Sequence, residues 1–406
     1  MREHSADGVV IGGGPAGASA AITLRQEGLQ PILVEQRPFP RYHIGESLLP
    51  MGLVELGELG VGERIEAEGF VVKPGARFYS RADDLDVTLA FAAGTAQRTA
   101  FQVERARFDE ILLSAARDAG VDVWMPAKAT DVAVEKGGVR VRVLRDGEHE
   151  LIKAPFVLDA SGRQTVCARA AGRYRHIRDL LTHAYYGYFE GLDRAPGPEG
   201  GNIIIVICPG GWLWWIPLRR DITSIGVVLK QGAERPEGSP EHVLLTFMKR
   251  WLPPTSCSYL DCMRGQVRVQ AAINYCATRY ADDRVVLIGD AAAFLDPLFS
   301  TGVFTGIFGA KRAARLAAAG LRRGDLSRAA FVGYERELRT MHQVFLYFIR
   351  RFYDRRFLPW LRGADTDALV KRQIVGILAG DIYNPSNALA QAVARRTNPR
   401  LPLSEA

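Results

Sequence analysis

Apolar and polar positions alternate along this chain in two periods, and the changes between them mark the elements. Residues 9–11 are apolar and β-branched, 12–17 form a glycine turn, 16–27 have helical composition and 31–35 are again apolar, which predicts strand, turn, helix, strand. Residues 51–59 and 105–119 carry the helical period, and 121–124, 129–134, 139–144 and 151–158 read as strands. Alternation over 184–230 and 264–276, rich in aromatics, predicts further strands, with the Pro/Gly-rich 194–201 as a loop between them. A buried strand at 284–288 precedes a loop at 289–302 and a helix at 302–321, and the pattern is helical from about 326 onward. There is no internal repeat, low-complexity tract or long linker.

Composition adds bounds. With 406 residues, 48% of them hydrophobic and 24% charged, the chain can bury a large core as one multi-part domain or a few smaller ones. The +7 net charge is spread out, although the last 56 residues hold nine Lys/Arg against five Asp/Glu. That excess suits either an acidic partner or a solvated helical face. Cys167, Cys208, Cys257, Cys262 and Cys276 are odd in number and irregular in spacing, which argues against a disulfide framework and for a reducing, cytoplasmic setting. The polar start carries no signal-peptide pattern, and the apolar stretch 302–321 holds Lys311, Arg312 and Arg315, too much charge for a membrane span.

The chemistry begins at Gly12-Gly13-Gly14-Pro15-Ala16-Gly17, a GxGxxG turn containing Ala16. Gly12 permits the tight turn, Gly14 lets the backbone approach a pyrophosphate, and Gly17 lets helix pack on strand. Glu35, at the end of the next strand, is placed to accept hydrogen bonds from ribose hydroxyls. A strand before the turn, a helix after it and an acid at the next strand end together form a strong dinucleotide signature. The expected fold is therefore α/β and discontinuous. A Rossmann-type binding domain comes from 1–80, 100–165 and 280–325. An inserted mixed or antiparallel substrate sheet comes from 81–99 and 166–279, and a C-terminal helical region from 326–406.

The fingerprint leaves NAD or FAD open. Val157-Leu158-Asp159-Ala160-Ser161-Gly162 and Val286-Leu287-Ile288-Gly289-Asp290-Ala291-Ala292 resemble the later motifs of FAD-dependent monooxygenase-type flavoproteins, where the acid matching Asp290 holds the ribityl chain. Gln102-Val103-Glu104-Arg105, followed by Phe108-Asp109, resembles the same group, with Arg105 near the cofactor; Asp109 reads equally as a surface acid in the first turn of a helix. No second GxGxxG is present for a nicotinamide nucleotide, so reduced flavin arrives from a separate reductase or NAD(P)H docks transiently.

Four further segments resemble flavin-dependent halogenases. They are Gly211-Trp212-Leu213-Trp214-Trp215-Ile216-Pro217, Gly69-Phe70-Val71-Val72-Lys73-Pro74-Gly75, Asp296-Pro297-Leu298-Phe299-Ser300-Thr301-Gly302 and Arg41-Tyr42-His43-Ile44-Gly45-Glu46-Ser47. The resemblance implies that FADH2, O2 and chloride or bromide give hypohalous acid, which Lys73 holds or converts for transfer to an electron-rich aromatic ring. A neutral Lys73 amine could form a haloamine and an ammonium only a hydrogen bond, and apolar burial would favour the first. Without the resemblance, a lysine before a Pro-Gly turn reads as a surface residue. By the same likeness Arg41 and Ser47 contact flavin, Thr301 and Gly302 bind halide through N–H groups at a helix start, and Trp212, Trp214 and Phe299 wall the active site. Those N–H groups suit flavin carbonyls equally, and the tryptophans suit core packing.

Phe299 stands where tryptophan halogenases carry a glutamate, which points to phenol or pyrrole substrates, some of them tethered to acidic carrier proteins that a basic C-terminal region could meet. The rival readings are a flavin hydroxylase, a reductase of isoprenoid double bonds and a non-catalytic flavoprotein. No HExxH, paired-histidine metal spacing or GxSxG elbow occurs, and basic residues do not interleave with aromatics as in a nucleic-acid module. Phe345-Leu346-Tyr347-Phe348 with Phe352, Tyr353 and Phe357 reads as an aromatic core face.

Overall fold

A computed structural model describes residues 1–253 and 258–405, with Ala272 described through its backbone alone. Gly8–Ile11 lies in the middle of a six-stranded sheet, flanked by Val157–Asp159 and Pro31–Val34, with Val285–Leu287 and Asp122–Trp124 beyond them. These five strands pair in parallel, and Ala281–Asp282 adds an antiparallel edge. Their runs are almost wholly buried, as expected of a parallel sheet covered on both faces. Helix Pro15–Gln26 leaves the first strand and packs on helix Gly302–Arg323 and helix Arg105–Asp118.

The second layer is a seven-stranded mixed sheet in the order Met263–Ile273, Thr182–Glu190, Ile222–Lys230, Gly211–Pro217, Ile203–Cys208, Gly75–Ser80, Leu85–Ala90. Gly75–Ser80 was expected with the dinucleotide part, but its parallel register on Ile203–Cys208 puts it here. The expected strand at 151–158 is two, Glu148–Ala154 and Val157–Asp159, because Pro155 cannot donate to a ladder and the chain changes sheet there. Glu148–Ala154 joins a four-stranded sheet with Gly138–Arg145, Ala127–Glu135 and the polar N-terminal strand Arg2–Ser5, which alternation did not announce. Helix Pro240–Trp251, also unannounced, is capped by Ser239 and buries Val243, Leu244, Phe247 and Met248 on the outer face of the large sheet.

Four helices follow the dinucleotide part: Val332–Tyr353, Leu358–Thr366, Ala368–Leu378 and Ala388–Arg396. The first carries Phe345, Phe348 and Phe352 into the main core. No helix among the described residues is long and apolar enough to cross a membrane. Cys167, Cys208 and Cys276 are free thiols, whereas Cys262 is disulfide-bonded, against the expectation from cysteine spacing. Cys257 lies outside the described residues.

Candidate active site

Between the two large sheets lies a cavity of about 630 Å³, within the range of small-molecule and cofactor sites. Gly12, Gly14, Ala16, Glu35, Arg41, Ser47, Arg105, Asp290, Thr301, Gly302, Trp212 and Trp214 all line it. Residues from six separate stretches of sequence thus meet on one surface.

The glycine turn is fixed by sterics. Gly12 has φ 103°, and a Cβ there would sit 2.3 Å from the Ala160 carbonyl oxygen. At Gly17 a Cβ would sit 1.8 Å from the Gly12 carbonyl oxygen, so Gly17 acts through packing rather than by lining the cavity. Gly14 caps helix Pro15–Gln26 without a side-chain bond, and the first turn of that helix opens onto the cavity. Glu35 accepts from the N–H groups of Gly13 (2.6 Å) and Arg37 (2.8 Å), which orients its carboxylate at the strand end.

Asp109 is fully buried, and the surface reading falls. It accepts from Arg105 Nε (2.8 Å) and Nη2 (3.1 Å) and from Arg41 Nη1 (3.2 Å). Two guanidiniums share this carboxylate, and Arg41 Nε also lies 4.0 Å from Glu35 Oε1, which ties the cluster to the glycine turn. Arg41 stands over that turn, its Nη2 3.3 Å from where a Gly14 Cβ would be. Arg105 also donates to the carbonyls of Ile44 and Gly45 and so ties the segment 41–47 to helix Arg105–Asp118.

At the far side, burial raises the Asp290 carboxyl to about 6, opposed by Arg105 and Arg163. Gly289 and Gly306 bring this loop and helix Gly302–Arg323 against Ala16, with Gly289 leaving 2.9 Å between a Cβ and that of Ala16. Ser300 at φ 56° turns the chain into Thr301, whose side chain leaves the helix N-terminus uncapped. Free N–H groups at that end favour an anion or a carbonyl oxygen.

Trp212 and Trp214 face the cavity on alternate positions of Gly211–Pro217, while Leu213 and Trp215 enter the outer core. Their rings lie 6.0 Å apart. Trp214 Nε1 donates to Ser224 Oγ (3.2 Å), and Trp212 Nε1 to Asp296 Oδ1 (3.2 Å). Asp296 also accepts from Tyr353 O–H (2.8 Å) and from the Leu298 N–H (3.2 Å). One buried carboxyl, raised to about 6 by burial, therefore joins the tryptophan strand, the turn before Thr301 and the end of helix Val332–Tyr353.

Besides Gly17, two expected site residues lie outside the cavity lining. Phe299 packs its ring 5.6 Å from that of Phe357 in the core. Lys73 is 2% exposed on the short strand Val71–Lys73, its Nζ donating to the Leu48 carbonyl (2.9 Å) and lying 5.3 Å from the Phe91 ring centre. Burial alone lowers it to about 7. It is linked to the cavity wall indirectly. Val71–Lys73 pairs with Ala100–Gln102, and Gln102 pairs with Ser47. Sequence reading named no role for Asp296 or Glu46. Both lie inside the flavoprotein-like motifs, but their partners Tyr353 and Tyr188 are distant in sequence.

The site fits FAD. Gly12 and Gly17 of the cradle admit no Cβ, the Ser47 hydroxyl is buried on the wall with no hydrogen-bond partner, and an acid stands at each end of the cavity. Comparison with known proteins agrees. The FAD binding domain family matches residues 5–345. A 1H-pyrrole-2-carbonyl-[peptidyl-carrier protein] chlorinase of Pseudomonas fluorescens is 30% identical, over 95% of this chain and 91% of its own length. Among solved structures, the myxobacterial chondrochloren halogenase CndH is 30% identical with a TM-score of 0.79, covering 99% of this chain and 96% of its own. The flavin-dependent brominase Bmp2 is 25% identical with a TM-score of 0.85, covering 96% and 97%. With a tryptophan-walled FAD cavity between its two sheets and relatives of this similarity along nearly its whole length, the chain belongs to the flavin-dependent halogenases.

Proposed function

We propose that this halogenase acts on an electron-rich pyrrolic or phenolic ring carried on a protein-bound acyl group. The observation that supports this most is the near full-length similarity to a chlorinase whose substrate is a pyrrole-2-carbonyl group on a peptidyl carrier protein. Reduced FAD, when bound, supplies with O2 the two-electron oxidation of chloride or bromide. Gly12, Gly14, Ala16 and Gly17 seat the dinucleotide, Glu35 and Asp290 take its hydroxyls, and Arg41, Arg105 and Ser47 hold its phosphate and flavin side. The N–H groups at Thr301 and Gly302 hold the halide, and Trp212 and Trp214 form the barrier between cofactor and organic substrate.

Lys73 transfers the oxidised halogen. Desolvation keeps much of it as free amine near neutral pH, so its nitrogen lone pair is available to an electrophile. In the C-terminal region Arg350 is paired with Asp179 and Arg355 with Asp83, so carrier docking falls to exposed Arg356, Arg395, Arg396 and Arg400. A separate cytoplasmic flavin reductase supplies FADH2. The test is mass spectrometry of pyrrole-2-carbonyl carrier protein after incubation with enzyme, reductase, NADH and chloride or bromide. A halogen-shifted acyl group is expected. Halogenation of free pyrrole-2-carboxylate with none of the carrier-bound form would overturn the tethered reading.

A further inference from the structure

We propose that Glu46 is a proton donor on the wall of the flavin cavity, resupplied from solvent through Tyr188 and Tyr42. Glu46 lines the cavity and is 2% exposed. Its Oε1 accepts the Tyr188 hydroxyl at 2.6 Å. Its Oε2 is buried and closes no well-formed hydrogen bond, although the Ser224 side chain approaches closely enough to act on the carboxyl. The nearby cation, Arg105, is committed to Asp109 and to the carbonyls of Ile44 and Gly45, so no ion pair holds Glu46 charged. A buried carboxyl with a free oxygen and no counter-ion carries a proton at little cost.

The path outward is short. The Tyr188 and Tyr42 rings meet edge-on at 6.3 Å, Tyr42 is 40% exposed, and Tyr186 and Tyr188 stand close enough to act on its hydroxyl. The order is cavity, Glu46, Tyr188, Tyr42, solvent. The reaction needs such a path: FADH2 + O2 + X⁻ + H⁺ gives FAD + HOX + H2O, so each halide oxidised consumes one proton. That proton leaves the Glu46 carboxyl as the O–O bond breaks, one oxygen going to HOX and the other to water, and the carboxylate is then reprotonated along the tyrosines. Other acids and bases on the wall suit the task less. Burial holds His43, at about 4, and His342, at about 3, in their neutral forms, and Asp290 stands at the ribityl end.

The groups facing Glu46 are Tyr188 on strand Thr182–Glu190, Ser224 on Ile222–Lys230, Glu104 and Arg105 at the start of helix Arg105–Asp118, and Tyr42 on its own loop. Burial outweighs the lowering by Tyr188, Ser224 and Arg105 and brings the carboxyl to about 7. The donor form is therefore present below about pH 7 and lost above it.

The test uses oxidised FAD holoenzyme, wild type, Glu46→Gln and Tyr188→Phe, and does not depend on the organic substrate. Infrared difference spectra across pH should show a protonated-carboxyl band titrating near 7 in the wild type and missing in Glu46→Gln. Hypobromite formation, trapped chemically with reduced flavin supplied, should fall above pH 7 in the wild type. In Glu46→Gln it should be slower by about 10²-fold, the low end of general acid effects, and independent of pH. Tyr188→Phe leaves the cavity lining intact and removes a bond that lowers the carboxyl, so band and rate midpoints should both move up. A wild-type band that does not titrate, or a Glu46→Gln profile like the wild type, overturns the proposal. Should Glu46→Gln fail to hold FAD, unmoved midpoints in Tyr188→Phe overturn it.

Discussion

Replacing Lys73 by methionine should make the protein more stable at neutral pH and inactive. The lysine is lowered from 10.5 to about 7 by burial alone. At about 1.4 kcal/mol per tenfold change in proton affinity, the folded chain carries a penalty of up to about 5 kcal/mol at this site. Between about pH 7 and 10.5 the unfolded chain holds the proton and the folded chain does not, so the penalty is full below 7 and fades as pH rises toward 10.5. Methionine removes it but loses the bond to the Leu48 carbonyl, which costs about 1–3 kcal/mol with a buried acceptor left unpaired. The variant should gain about 2–4 kcal/mol at pH 7 and lose about 1 kcal/mol at pH 10. Urea unfolding of both proteins at fixed FAD across this range measures the difference, and halogenated product by mass measures activity. A stability difference that does not change with pH would show that Lys73 is not held neutral, and the argument for a nucleophilic amine would fail with it.

Other outcomes follow from the same geometry. Gly17→Ala should abolish FAD occupancy, measured by flavin absorbance after reconstitution and desalting, because its Cβ would overlap the Gly12 carbonyl at 1.8 Å; full occupancy would remove the turn from the site. Holoenzyme mixed anaerobically with NADH alone should not bleach, and rapid saturable reduction would show a built-in nicotinamide site. Trp212→Phe should cost about 2 kcal/mol through the donor lost to Asp296, and should raise peroxide release relative to halogenated product. Unchanged partitioning would reduce Trp212 to packing.

What was legible in the sequence was local. The glycine spacing, the acid at the strand end and the tryptophan alternation each need only a few consecutive residues to declare a geometry. The parallel sheet followed from them, since strands joined through a helix must cross over. Lys73 was ambiguous because its environment is set by pairing with Ala100–Gln102, and nothing near Pro74-Gly75 encodes that strand. Asp109 was undecided because its burial depends on Arg41, 68 residues away. Helix Pro240–Trp251 was legible but unread: Ser239 before Pro240, and apolar residues at 243, 244, 247 and 248, form a capped amphipathic pattern. The Pro155 break needed only the rule that proline ends a ladder.

The Asp296 junction has a bearing on how such an enzyme can diversify. Tyr353 ends one helix and reaches the same carboxyl that holds Trp212, so exchanging the C-terminal region for a relative's would disturb the turn before Thr301 unless the graft begins after Tyr353. Leu358–Thr366 and the helices beyond it carry no hydrogen bond to Asp296 and line no part of the cavity, so they can change without touching that junction. Selection and design alike therefore meet a boundary at one phenol: downstream change leaves the cavity wall as it is, and change at the phenol itself reaches the tryptophan wall through Asp296.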